Sequence, residues 1–361
     1  MSATLPVVAS IFGSIPEPIV NYVIWPTTKF VIAFAIIMGI VAFTTLVERR
    51  VLGFMQARLG PNRVGPQGIL QFVADPIKLL LKEDIVPAGA QKAAYFIAPM
   101  LPIIPAFLAF CLIPFGPPPT FAIADVNVGL LLVLALTSTG VYGIILGGWA
   151  SNNKFSLLGG LRSAAQMVSY EVPFGLSIVG VLMLTGSLSL VEIVRYQEQS
   201  VWNVLPQLIG CFIFLVAMTA EVNRAPFDLP EAESELVAGF HTEYSGMKFA
   251  FFFLAEYASM LVNACLIVLL FFGGWTAAIG GHGLTTAAMQ SMGWLGMILG
   301  FLIFGAKVAF FMILYIWFRG TFPRYRFDQL MDLGWKWMIP LALANIVVTG
   351  LVILIAQSGG A

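Results

Sequence analysis

Apolar runs recur eight times along the 361 residues, each close to the roughly 20 helical residues that cross a bilayer core of about 30 Å. They lie near 28–47, 93–115, 127–149, 168–188, 203–221, 249–273, 294–318 and 338–357. The runs are continuous, without the alternation of a lipid-facing strand, so they exclude a membrane barrel. The pattern predicts an all-α integral membrane protein with about eight transmembrane helices. Polar segments near 48–92, 150–167, 222–248 and 319–337 separate some of the runs. The other connections are short and rich in Gly and Pro, as in Pro117-Pro118-Pro119 and Gly280-Gly281-His282-Gly283. No internal repeat relates the two halves, so residues 1–361 read as a single membrane domain.

One segment inside 48–92 breaks the pattern. Gln71 to Lys82 is too short and too charged to span, yet Phe72, Leu79, Leu80 and Leu81 give it an apolar surface, and Lys78 and Lys82 lie four apart on one face. This predicts an amphipathic helix in the interface plane, with Asp75 as N-cap and Pro76 at its first position. It could be a surface anchor, or a floor for a lipid-soluble ligand entering from the bilayer. The glycines of the preceding Gly60-Pro61-Asn62-Arg63-Val64-Gly65-Pro66 serve turn geometry, because no Gly-Lys-Ser/Thr follows to hold a phosphate.

Composition adds orientation. Hydrophobic residues make up 59% and charged residues 10%, against roughly a quarter charged in soluble domains. Net charge is zero, which gives no footing for nucleic acid. Fifteen Lys and Arg fall on the side of the four longer polar segments, and only Lys29 and Arg195 on the other. By the positive-inside rule these segments are cytoplasmic and both termini periplasmic, in a bacterial inner membrane or an equivalent coupling membrane. No cleavable signal peptide is evident, since the N-terminal segment lacks a basic start. Cys111, Cys211 and Cys265 stand singly in apolar runs, so no metal or iron–sulfur site is expected in this chain.

The acids point to chemistry. Six of the 18 fall between Glu221 and Glu243 (Glu221, Asp228, Glu231, Glu233, Glu235 and Glu243), with Arg224 and His241 among them. Whether 231–235 is helical or extended, at least two of its carboxylates share a face and raise one another's pKa unless solvent or Arg intervenes. Prolines and apolar neighbours, Phe227 included, argue against free solvation. Glu171 stands at the head of the fourth run, Glu256 inside the sixth and Lys307 inside the seventh. Charges at such depth are costly and must be paired, neutral or on a polar path; Glu256 and Lys307 could form an ion pair, but a path through the bundle is the favoured reading. Arg319, Arg324 and Arg326 alternate with aromatic residues, a pattern suited to a lipid headgroup, a partner protein or the acidic segment on the same side.

Several stretches together resemble the H subunits of respiratory complex I, the NADH:quinone oxidoreductase, and their mitochondrial equivalent, NADH dehydrogenase subunit 1. They are Glu48-Arg49-Arg50 through Gly60-Pro61-Asn62-Arg63-Val64-Gly65-Pro66, Ser169-Tyr170-Glu171, Ala220-Glu221 through Glu233-Ser234-Glu235, Thr242-Glu243-Tyr244-Ser245-Gly246, and Arg319-Gly320-Thr321-Phe322-Pro323-Arg324. The resemblance implies one component of a proton-translocating enzyme, with no redox cofactor and no complete active site of its own. It implies quinone as substrate, ubiquinone being the expected one, bound in a cavity entered from the bilayer and reduced by an iron–sulfur cluster of a neighbouring subunit. Arg49, Arg50, Phe72, Asp75, Lys78, Phe227, Asp228, Glu231, Glu233 and Glu235 would border that cavity or its entrance. Glu171, Glu221, Glu256 and Lys307 would form a buried path for protons. Arg58, Arg63, Arg319 and Arg324 would dock the redox arm or balance acids. Partners would be the quinone-site and iron–sulfur subunits, the small and antiporter-like membrane subunits, and lipids.

Three other readings compete. A paralogous subunit of an energy-converting hydrogenase or formate hydrogenlyase would share the acids without a quinone site. A free-standing proton or cation transporter would suit Glu256 and Lys307, against the missing repeat and the large polar segments. A purely structural anchor for redox subunits would leave the loop acids without a function.

Overall fold

The computed structural model describes residues 24–118, 121–230 and 236–358. Its chain divides into two compact units, Met1–Ile40 and Val41–Ala361. The described part of the first unit is the opening of helix α1 (Trp25–Met55), an apolar run. The second unit carries everything that follows.

Seven helices among the described residues are long and apolar enough to cross a membrane. They comprise α1, the stretch Lys92–Leu112 built from α3 (Lys92–Ile97) and α4 (Met100–Leu112), α5 (Gly129–Ala150), α6 (Lys154–Thr185), α9 (Gly246–Phe271) and α11 (Trp294–Thr321). The last is Phe327–Ser358, in which α12 (Phe327–Asp332) runs through a π-helical segment into α13 (Ile339–Ser358). Shorter elements are α2 (Gln71–Leu81), α7 (Leu190–Gln199), α8 (Leu208–Glu221) and α10 (Thr286–Ser291). A two-strand hairpin, β1 (Ala277–Ile279) and β2 (His282–Leu284), turns through Gly280 and Gly281 at φ 61° and 76°, the backbone that a tight two-residue hairpin needs.

Three of the expected spans depart from the sequence expectation. The fifth run, near 203–221, yields a helix of only 14 residues, about 21 Å long at 1.5 Å per residue. Pro206 has no N–H to give, and Asn203 and Gln207 spend their amides on other helices: Asn203 Nδ2 donates to Leu270 O at 2.8 Å and Gln207 Nε2 to Thr349 Oγ1 at 2.7 Å. Residues before Leu208 therefore turn instead of continuing the helix. The fourth helix begins at Lys154, inside the segment read as a loop at 150–167, where the Asn153 side chain accepts from Phe155 N at 2.9 Å and caps it. Gly159 serves packing; a Cβ on it would lie 2.7 Å from the backbone N of Phe240. The last helix starts at Phe327, eleven residues ahead of the expected 338.

The core of the second unit is α9. Every residue from Met260 to Phe271 is buried, so this helix is apolar all round because it is surrounded by protein. It packs on α4, α8 and α11, with an ion cluster at its N-terminal half and Lys307 beyond its C-terminal end.

Candidate functional site

At the N-terminal half of α9 four elements converge. The end of α1 brings Glu48, which is 3% exposed. The turn after α8 brings Arg224, 6% exposed. The helix itself contributes Glu256 and Tyr257, and the end of α11 contributes Arg319. Local chemistry fixes the turn. Asn223 takes a left-handed φ of 56°, which Asn tolerates, and donates to Ser163 Oγ at 3.1 Å. The Gln166 amide of α6 donates to Ala220 O at 2.8 Å and to Phe227 O at 2.7 Å, clamping both arms of the turn. Phe227 lies between the rings of Tyr170 and Tyr325, at 5.8 and 5.5 Å.

The resulting ion cluster is closely wired. Arg224 Nη1 meets Glu48 Oε1 at 2.9 Å, and Arg224 Nε meets Glu256. Arg319 Nη1 also donates to Glu48 Oε1, and Tyr257 Oη donates to Glu48 Oε2 at 2.6 Å. The Arg224 guanidinium lies 4.3 Å from the centre of the Tyr257 ring. Burial works against the Arg224 charge, but Glu256, Tyr257 and Glu48 more than offset it and hold the guanidinium above even its ordinary range. Further out, Arg324 Nη2 pairs with Asp228 Oδ2 at 2.7 Å. Burial still leaves the Asp228 carboxyl above its usual value, with Arg324, Arg319 and Arg224 pulling the other way.

Two cavities adjoin this cluster. The larger, ≈ 60 Å³, is lined by both Glu221 and Glu256, with Thr137, Asn223, His241 and Ser259 as its other polar groups. A smaller one of ≈ 10 Å³ continues from Asn223 and Glu256 to Arg224, Asp228 and Arg319. The larger has room for a few waters, and Asn223 Oδ1 is a buried acceptor that no protein donor among the described residues reaches. Glu221, the last residue of α8, has Thr137 and Asn263 as hydrogen-bond neighbours, the latter at 3.5 Å, and faces Glu171. Glu171 accepts from Ser138, the residue next to Thr137 on α5. The polar groups thus follow one another from Glu171 through Glu221 to Glu256, Arg224, Glu48 and Arg319.

The first polar segment forms a separate patch. The amphipathic helix α2 begins at Gln71, not at Pro76, because the turn at 64–70 nucleates it: Leu70 N bonds Val64 O at 3.2 Å and Ala74 N bonds Leu70 O at 3.1 Å. Asp75, expected as a cap, instead takes Arg49 Nη1 at 3.0 Å and Gln71 Nε2 at 2.7 Å. Phe72 stands edge-on to Phe43 at 6.1 Å, and Lys78, Ile77, Leu80 and Leu81 are exposed. Arg50 donates to Gln67 O, while Arg58 and Arg63 are exposed. Glu231, Glu233 and Glu235 lie outside the described residues.

Lys307 does not join the track. Its Nζ donates to the carbonyls of Phe272, Gly274 and Thr276 at 2.7, 3.0 and 2.7 Å, beyond the C-terminus of α9, and lies 4.6 Å from the centre of the Trp202 ring. That places it some sixteen residues along α9 from Glu256, about 24 Å. The carbonyls beyond a helix end supply a partner that the sequence does not reveal.

Two central residues carried no role in the sequence reading, Glu48 and Tyr257. Glu48 opens the polar segment at 48–92, with Arg49 and Arg50 directly after it. The signal that could have found it is Val51, Leu52, Phe54 and Met55, which continue the helix past the arginines and set Glu48 about two turns inside its end. Among the described residues no group of three His, Cys, Asp or Glu is arranged to hold a metal ion.

Comparison with known proteins bears on this arrangement. A family model described as NADH dehydrogenase matches residues 28–350. The NADH-quinone oxidoreductase H subunit of Bacillus cytotoxicus is 49% identical over 333 residues, 92% of this chain and 95% of its own. The H 2 subunit of the same enzyme in Koribacter versatilis is 48% identical over 344 residues, covering 90% and 95%. That of Bacillus thuringiensis is 48% identical over 338 residues, covering 93% and 96%. With the match extending over nearly the whole chain, this membrane protein belongs to the NADH dehydrogenase family, among the H subunits of NADH-quinone oxidoreductase.

Proposed function

We propose that this chain is the membrane subunit through which quinone reduction is coupled to proton movement in a proton-translocating NADH:quinone oxidoreductase. The observation that carries the proposal is the cavity lined by both Glu221 and Glu256, with Glu256 joined through Arg224 to Glu48 and Arg319. Quinone reduction takes up protons and transiently places negative charge beside the third polar segment. Carboxylates that share counter-charges respond to such a change by redistributing protons, and each pKa unit of coupling amounts to about 1.4 kcal/mol. Protons then pass along Glu256, Glu221 and Glu171 towards neighbouring membrane subunits. Lys307 has no part in that path.

Quinone enters from the bilayer beside α2, past Phe72, Asp75 and Lys78, with Arg49 and Arg50 behind them. Its headgroup comes to rest near Phe227, Asp228, Glu231, Glu233 and Glu235. The outward apolar residues of α2 and the Arg49–Asp75 pair support this entrance, since one face is left for lipid while the helix is pinned on the other. Arg58 and Arg63 meet the redox arm, Arg319 and Arg324 serve first to balance acids, and the partners are the quinone-site, iron–sulfur and membrane subunits of the same complex. The four polar segments face the cytoplasm and both termini the periplasm of a bacterial inner membrane.

The test is Glu221→Gln in the assembled complex. Quinone-linked turnover should fall while NADH oxidation by an artificial acceptor stays intact. Undiminished proton-coupled turnover would remove Glu221 from the mechanism.

A further inference from the structure

The cavity between Glu221 and Glu256 has a third ionisable group on its wall, His241. This residue ends a single 3-10 turn, Gly239–His241, and is 9% exposed. The turn is seated by Gly159 of α6, where no larger side chain fits. Three aromatic rings stand against the imidazole, Phe240 at 4.9 Å, Phe249 at 5.2 Å and Phe253 at 6.2 Å, all roughly edge to face. Phe240 and Phe253 line the cavity together with the imidazole, so its wall beside His241 is aromatic. Burial lowers its pKa to about 4, so the resting imidazole is neutral.

A neutral imidazole accepts a proton on one nitrogen and releases one from the other. Among the polar groups lining this cavity, Thr137, Asn223 and Ser259 have no accessible charged form, whereas His241 does. We propose that His241 carries protons between Glu256 and Glu221 through water in the shared cavity, an inference that rests on the coupling role proposed above. In the step, the Glu256 acid gives its proton by way of water to the unprotonated ring nitrogen, leaving a carboxylate that Arg224 balances. The imidazolium releases the proton of its other nitrogen, again by way of water, to the Glu221 carboxylate. Bonds to hydrogen are exchanged and no electrons are transferred; the reverse step is the same path read backwards.

Among the described residues, the elements packed around His241 carry ionisable groups near the turn or on the cavity wall, with Tyr142 of α5, Lys154, Tyr170 and Glu171 of α6, and Lys248 and Tyr257 of α9 elsewhere on the same helices. Those near the turn or on the wall are Glu221 from α8, Glu256 from α9, Glu243 and Tyr244 just beyond the turn, and Arg162 on α6 three residues past Gly159. Glu243 is committed elsewhere, accepting from Asn153 Nδ2 at 2.6 Å, and Tyr244 stacks on Tyr95 at 4.2 Å. From α5 the cavity receives Thr137, Gly140 and Ile144, none of them charged.

The experiment uses the complete complex in membrane vesicles, with NADH and a short-chain quinone as substrates, and compares His241→Ala, His241→Gln and Glu221→Gln. Assembly is scored by NADH oxidation with an artificial acceptor, and His241→Gln keeps the polarity of the side chain should His241→Ala not assemble. Both His241 variants should retain the artificial-acceptor rate and lose about 100-fold in quinone-linked proton pumping, the lower end of the range for loss of a proton-transfer group. Imidazole in the medium should restore pumping to His241→Ala, whereas pyrazole, of the same shape but far less basic, should not. Normal pumping by His241→Gln beside an impaired Glu221→Gln overturns the role of His241 and leaves the coupling role standing. Equal rescue by imidazole and pyrazole overturns it too, because His241 would then only fill space. Normal pumping by Glu221→Gln overturns the coupling role and this inference with it.

Discussion

The two ends of α9 each bury charge, and they do so by opposite means. At the N-terminal half, Glu48 and Glu256 share Arg224, and Glu48 also takes Arg319 and Tyr257. Every partner there is a side chain, and the carboxylates can change protonation. At the C-terminal end, Lys307 is held by three backbone carbonyls and one indole ring. Those dipoles are fixed by the fold and have no second state. A charge solvated by fixed dipoles is a structural element, whereas charges that share one another as counter-ions form a coupled system whose protons can be redistributed. A proton placed on Glu256 changes what Arg224 offers to Glu48. Nothing comparable can happen around Lys307. The same helix therefore carries a responsive site and a rigid one.

The contrast breaks most visibly when the shared counter-ion is removed. Arg224→Met leaves Glu48 and Glu256 buried without their common partner, and the loss of one member of a buried ion cluster costs about 3–5 kcal/mol. We expect loss of thermal stability on that scale in purified complex and loss of quinone-linked turnover. Adding Glu256→Gln should recover part of the stability but none of the turnover. A double variant no more stable than Arg224→Met would mean that Arg224 does not serve to balance Glu256.

Next in size is an acid sensitivity located at His241. Its pKa is depressed from 6.5 to about 4 by burial, so the folded state favours the neutral ring. The stability this provides is fully present above the unfolded value near 6.5. It is lost as pH falls through that value towards about 4, by an amount on the order of 3 kcal/mol. Unfolding midpoints measured from pH 8 to pH 4 should fall more steeply for the native chain than for His241→Gln. Parallel profiles would place the imidazole in contact with water.

Lys307→Met should behave in the other manner. Three carbonyls lose a charged donor, offset in part because no ammonium need then be buried, and we expect a loss of about 2 kcal/mol. Quinone-linked turnover per assembled complex should be unchanged, as should its pH profile. A shifted pH profile for turnover would make the rigid end part of the responsive one.

How much of this was visible in the chain follows from which interactions leave a mark in sequence. Apolar length marks a membrane helix, so the run at 249–273 matched α9 to within a few residues. A cluster of acids marks itself, and Glu221, Asp228 and Glu256 do come to the same region. Partnerships through backbone leave no mark. Nothing in the sequence says that Lys307 will find the carbonyls of 272, 274 and 276, so its depth reads as a place on a polar path through the bundle. Polarity at a helix end also misleads. Arg49 and Arg50 hid Glu48, and the polar residues of 150–167 read as a loop although α6 already begins at Lys154. The short α8 was misjudged because Asn203 and Gln207 bond to residues near 270 and 349, far away in sequence.

The smallest effect sharpens the boundary of the responsive site. Asp228 and Arg324 pair at 2.7 Å, but the Arg324 side chain is 38% exposed against 7% for Arg224. An exposed pair contributes about 0–1 kcal/mol and is screened over a Debye length of roughly 8 Å at physiological salt. Arg324→Ala should therefore destabilise by less than about 1 kcal/mol, and the difference from the native chain should shrink as salt is raised. The penalty of Arg224→Met should be insensitive to salt, because ions cannot enter a site that excludes them. Measuring both variants at low and high ionic strength separates a rim contact from a buried one without reference to turnover. If Arg324→Ala proves costly and indifferent to salt, the buried cluster reaches out to Asp228, and the responsive site begins at the turn between Pro226 and Pro230 instead of at Arg224.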